Sequence, residues 1–129
     1  MQEKRIRRVG AARERAVDCR ILSATHKDLA QLVAAGSFRQ DLYYRINVIE
    51  VKVPPLRERP EDINALTLHF LNAYQREQGG RTFGLTKAAW AALRDYPFPG
   101  NVRELENVLE RAATLCETDQ IDVDDLRLP

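Results

Sequence analysis

The stretch VIEVKVPPLRERPEDI, residues 48–63, decides the architecture. Apolar and charged residues alternate from Ile49 through Val53, the period-2 signature of a strand with one buried face. Pro54 and Pro55 end that strand, because proline has no N–H to donate to a ladder. Pro60 then suits the first turn of a helix, and the pattern stays helical to the end of the chain. Residues 54–60 are therefore the natural joint between a strand-bearing part, 1–53, and a helical part, 54–129.

Upstream of the joint, Arg5 to Val9 reads as a short exposed strand closed by Gly10. Residues 17–24, with Val17, Cys19, Ile21, Leu22 and Ala24, read as a half-buried to buried strand. Asp28 is placed to cap a helix over residues 29–35, stopped by Gly36. A second helix follows at about residues 39–46. Only two or three strands precede the joint, and so small a sheet rarely stands alone, so the sequence reads as truncated.

Downstream, Ile63, Leu66, Phe70 and Tyr74 give the apolar stripe of a helix over residues 61–78, closed by Gly79 and Gly80. Thr86 caps a helix reaching Asp95, with Ala89, Trp90 and Leu93 facing inward. A last long helix over residues 102–118 carries Val102, Leu105, Leu109, Ala112 and Cys116 on one face. The fold class expected is an α/β remnant followed by a small helical bundle.

Composition narrows the functional classes. Hydrophobic residues make up 44% and charged residues 30% of the 129, enough for a core under a soluble surface. Net charge is +1, which argues neither for nor against nucleic acid. The ends differ: seven basic residues face three acidic ones in residues 1–20, and five acidic face one basic in residues 117–129. Both ends read as solvated surface. Cys19 and Cys116 lie far apart in apolar runs and read as buried free thiols in a reducing cytoplasm. No metal spacing, long apolar span or phosphate-binding G-x-x-x-x-G-K-[ST] loop occurs, and His69 reads as structural.

Three constellations remain. Arg39 and Arg45 flank the apolar stripe Phe38, Leu42 and Ile46 on one helix, where two guanidinium groups can share an anion across an interface. The competing reading packs their stems on apolar surface, with Asp41 pairing Arg45. In Pro99-Gly100-Asn101-Val102-Arg103-Glu104, Asn101 is read as the helix cap, with Glu104 completing a capping box. Arg103 then lies in the first turn, where it holds an anion together with the free N–H groups or pairs with Glu106 or Glu110. Thr25-His26 follows a strand end, the usual ligand position in open α/β sheets.

Four blocks in order, residues 17–29 (VDCRILSATHKDL), 36–48 (GSFRQDLYYRINV), 54–63 (PPLRERPEDI) and 99–107 (PGNVRELEN), resemble consecutive motifs of AAA+ sigma-54-dependent transcription activators. The resemblance implies that Thr25 and His26 form the sensor I segment, which detects the γ-phosphate. It implies that Arg39 and Arg45 are arginine fingers reaching a neighbouring subunit's nucleotide. Arg103 corresponds to the sensor II arginine of the lid, and Leu56 and Val102 to residues bordering the base. Residues 5–15 match the hairpin-like stretch before the sensor I strand.

The family hydrolyses ATP with Mg2+ in a hexameric or heptameric ring, remodels sigma-54 RNA polymerase, and binds DNA through a helix-turn-helix domain. In the family, the Walker A loop, the Walker B acidic pair and the sigma-54-engaging loop precede the segment matched here. The chain alone is therefore expected neither to hydrolyse ATP, nor to bind nucleotide tightly, nor to contact sigma-54. A cytoplasmic protein without membrane association is expected. The alternative is a helical module without enzymatic activity, binding nucleic acid or assembling with itself.

Overall fold

The computed structural model describes residues 5–47, 49–77 and 79–129. The chain divides into two compact units, residues 1–51 and 52–129.

The first unit opens with an antiparallel hairpin, β1 (Arg5–Ile6) with β2 (Arg15–Ala16), in the register Arg5 to Ala16 and Ile6 to Arg15. Gly10 turns it at φ 84°, a conformation open to glycine without steric cost. Two short helices follow, α1 (Leu29–Ala34) and α2 (Gln40–Ile46), packed against each other. Asp28 caps α1 as expected, its Oδ1 accepting from Gln31 N–H at 3.0 Å. Gly36, at φ 71°, ends that helical stretch.

Two expected strands do not form. Residues 17–24 form no strand among the described residues, and Ile21 and Leu22 are 84% and 80% exposed. Residues 49–53 carry no ladder either, and Ile49, Val51 and Val53 are exposed; Val48 lies outside the described residues. Apolar alternation specifies which face a strand would bury but supplies no partner, and a strand without a ladder has nothing to hold it. Cys19, in the first of these segments, is consequently exposed, while Cys116 is buried as expected. Neither α1 nor α2 contains a buried residue.

Among the described residues, the buried core lies in the second unit. A 3-10 turn at Leu56–Glu58 leads into α3 (Pro60–Glu77), followed by α4 (Lys87–Asp95), α5 (Asn101–Leu115) and α6 (Val123–Leu126). Between them β3 (Gly84–Leu85) runs parallel to β4 (Gln120–Ile121). Helix α5 contributes Leu105, Val108, Leu109, Ala112 and Ala113 to the core and lies against α3. It ends three residues short of the expected Thr118.

The buried line of α3 is Ile63, Thr67 and Leu71, while Leu66, Phe70 and Tyr74 flank it half-buried. Of the expected stripe, Ile63 lies on the buried line and the other three border it, because a threonine at the centre of that line hides it from a hydrophobicity reading. In α4, Ala89 and Leu93 are buried and Trp90 is half-buried. Thr86 caps α4 by accepting from Ala89 N–H at 3.1 Å, and its hydroxyl donates to Asp122 Oδ1 at 2.6 Å. Asp122 itself caps α6, so two helix starts share one contact. Thr86, followed by the Val123 N–H, holds the Asp122 carboxyl below the ordinary carboxylate range.

Arg81 closes the far end of α5. It donates to Asp119 Oδ1 at 2.9 Å and to the carbonyls of Cys116 and Thr118 at 3.0 and 2.7 Å. Its guanidinium lies 5.0 Å from the Phe83 ring centre.

Thr67 Oγ1 is fully buried and has no hydrogen-bond partner among the described residues. Such a group costs about 1–3 kcal/mol. Thr67→Val keeps the branched shape and removes the hydroxyl. It is expected to raise the melting temperature by roughly 4–8 °C per kcal/mol recovered in a domain of this size. A lower melting temperature would show that the hydroxyl is satisfied.

Candidate functional site

The predicted site residues fall into two groups, one in each unit. In the first unit, Thr25 and His26 are exposed in the turn before α1, with Thr25 Oγ1 accepting from Lys27 N–H at 3.1 Å. Arg39 occupies the N-cap position of α2, and Arg45 its last turn. Arg39 forks onto Asp41, Nε to Oδ1 at 3.0 Å and Nη2 to Oδ2 at 2.7 Å, with its side chain 81% exposed. Asp41 thus pairs with Arg39 and not with Arg45. That fork holds the Asp41 carboxyl below the usual range, with the Leu42 N–H and the Arg45 charge adding to it against some desolvation. Arg45 is exposed one turn further along α2.

In the second unit the sequence folds into a tight helix entry. Phe98 is fully buried at φ 45° and stacks edge-on with Tyr96 at 4.9 Å. Two residues after Pro99 comes Asn101 at φ 53°, a second left-handed residue. Each such conformation costs on the order of 1 kcal/mol or more outside glycine and persists where surroundings enforce it. The enforcing contacts are specific. Glu104 Oε2 accepts from Gly100 N–H at 2.7 Å, and Glu104 Oε1 accepts from the Tyr96 hydroxyl at 3.0 Å. Asn101 N–H donates to the Phe98 carbonyl at 2.8 Å.

Glu104 reaches back as a capping-box residue does, but the cap position is Gly100. Asn101 does not cap its own helix. Its Oδ1 accepts instead from the Leu56 N–H, 45 residues away in sequence, at 2.8 Å. Leu56, Asn101, Val102 and Arg103 are thereby brought together. The Leu56 side chain is fully buried, Val102 is half-buried and Arg103 is exposed. Among the described residues, no carboxylate stands within ion-pair distance of Arg103; neither Glu106 nor Glu110 takes it. An uncompensated cation in a helix's first turn opposes the macrodipole, and an anion at that place relieves the conflict.

Residues 57–128 match the AAA+ ATPase lid domain, and residues 1–52 match the Sigma-54 interaction domain. The chain belongs to the AAA+ sigma-54-dependent transcription activators. It is 61% identical over 128 residues to the response regulator protein PilR of Pseudomonas aeruginosa, covering 99% of this chain and 29% of that protein. It is 50% identical to the alginate biosynthesis transcriptional regulatory protein AlgB of the same organism, covering 98% of this chain and 28% of AlgB. The activator family member therefore spans less than a third of these relatives' length. Among solved structures, NtrX from Brucella abortus in complex with ATP aligns with a TM-score of 0.80 at 36% identity, over 98% of this chain and 30% of NtrX. NtrX in complex with ADP aligns with a TM-score of 0.81 at 34% identity, over the same shares.

The expected fold class holds: a short two-stranded element with helices, then a helical lid. No helix among the described residues is long and apolar enough to cross a membrane.

Proposed function

We propose that this activator chain supplies the sensing and lid portion of an ATP-hydrolysing domain that remodels sigma-54 RNA polymerase. The observation that carries the reading is Arg103, an exposed guanidinium without an acidic partner among the described residues. It sits at the start of a lid helix whose fold is shared with an ATP- and ADP-complexed relative. In this reading Arg103 is sensor II, gripping phosphate from the lid, and Val102 and Leu56 set the wall beside the base. With Leu56 wholly inside the core, Val102 offers the accessible side chain of the two. Thr25 and His26 are the sensor I pair, and Arg39 and Arg45 are fingers for a neighbouring copy in a homo-oligomeric ring.

The bound group would be ATP with Mg2+, whose phosphates carry the charge that these guanidinium groups answer. No His, Cys, Asp or Glu cluster suited to a metal occurs among the described residues, so the ion would be held by the nucleotide and by groups elsewhere in the complete domain. DNA contact would belong to a further domain of the longer activator.

Arg103→Ala in the complete ATPase domain is expected to weaken ADP binding about tenfold or more, the usual worth of a charged hydrogen bond. Because Arg103 is exposed and makes no core contact, the melting temperature should stay within about 2 °C, as for ordinary surface substitutions. Calorimetric titration with ADP checks the first expectation; unchanged affinity would remove Arg103 from the nucleotide site.

A further inference from the structure

We infer that Asn101 is a positioning residue that latches the Pro54–Pro55 joint to the helix start carrying Arg103. The inference rests on the sensor II reading of Arg103 and goes beyond it by assigning the part that fixes that arginine relative to the joint. Neither Pro54 nor Pro55 has an amide proton, so the Leu56 N–H is the first backbone donor after the joint. As the first residue of a 3-10 turn, Leu56 has no partner for that proton inside its own turn. Asn101 Oδ1 takes it at 2.8 Å, while the Leu56 side chain seals the contact from the core side.

The acceptor is itself held rigidly. Asn101 is fixed at φ 53° between the buried Phe98, whose carbonyl takes its N–H, and the Glu104 carboxylate bridging Gly100 and Tyr96. Asparagine tolerates the left-handed region better than most residues and also offers a side-chain oxygen there, two properties that a local helix cap does not require together. With Arg103 two residues further on, any shift of this helix start is transmitted to Leu56 and so to the joint. The latch fixes the residue that follows the prolines to the helix start that carries Arg103, which lowers the ordering cost when a nucleotide is gripped from the lid side.

Asn101→Gly separates the two properties, since glycine keeps the left-handed backbone and loses the acceptor. In the complete ATPase domain it is expected to raise the ADP Kd about fivefold, the size of one net hydrogen bond. The kcat at saturating ATP should stay within about twofold, because the hydrolytic fingers lie on another element. Hydrogen exchange at the Leu56 amide should speed up in parallel. Asn101→Asp retains an acceptor and should return both readings toward those of the parent. An unchanged ADP Kd in the glycine variant, or a Leu56 amide as protected as before, overturns the latch. If Arg103→Ala is silent while Asn101→Gly still loses affinity, the sensor II reading fails and the latch stands; the reverse result removes the latch alone.

Discussion

Arg39→Ala and Arg45→Ala, introduced singly into the complete ATPase domain, are each expected to lower ATP hydrolysis by about a thousandfold or more. That is the effect known for arginine fingers supplied in trans. Nucleotide affinity should stay within about twofold, because a finger acts chiefly on charge that develops in the transition state. Arg39 holds the N-cap position of α2 and Arg45 its last turn, and both side chains are exposed.

Arg39 forks onto Asp41, so to act as a finger it would have to exchange that carboxylate for a phosphate. An exposed fork is a weak competitor: water screens it, and two long side chains lose freedom to hold it. A polyphosphate offers more charge at the same guanidinium geometry. Arg45 carries no such fork among the described residues and needs no exchange. The two substitutions should therefore differ at low ionic strength, where the Asp41 contact is strongest, and converge as salt is added. Steady-state hydrolysis and ADP titration on the same samples decide the matter. Normal turnover in either variant would exclude that arginine as a finger, and lost affinity with normal turnover at saturation would recast it as a binding residue.

The helices were legible because their signals are local. Asp28 and Thr86 were readable as caps, and Gly36 as a helix stop, from residue type and spacing alone. The faces of α4 and α5 followed from periodicity, with Val108 and Ala113 added where the buried arc of α5 is wider than one stripe. The strands at residues 17–24 and 49–53 failed for the opposite reason: a strand is a relation between segments, and alternation describes only one side of it. The site divides along the same line. Arg103 could be placed at a helix start from sequence, but the Asn101 contact spans 45 residues, and a P-G-N run has an ordinary local reading as a cap. Its one sequence clue is the double proline, which leaves Leu56 with a donor and no local acceptor.

Phe98→Ala is expected to destabilise the lid unit by about 3–5 kcal/mol, the usual cost of removing a buried phenylalanine ring. For a unit of this size that lowers the melting temperature by on the order of 20 °C. The ring is fully buried, meets Tyr96 edge-on, and sits at φ 45°, so its packing offsets a strained backbone. Alanine loses the packing and keeps the strain. Phe98→Gly loses the same packing but relieves the strain, and should melt higher than the alanine variant by a few degrees. The chain's one tryptophan, Trp90, lies half-buried in α4 of the same unit and reports the transition by fluorescence. Equal melting of the two variants would mean that the left-handed conformation carries no cost here, and the rigid entry to α5 would lose its physical basis. A lid melted by Phe98→Ala should also bind ADP poorly in the complete domain, but with its melting temperature lowered in step. Arg103→Ala should instead weaken binding in a lid that still melts normally, an outcome that would distinguish a residue touching the nucleotide from one that only builds the lid.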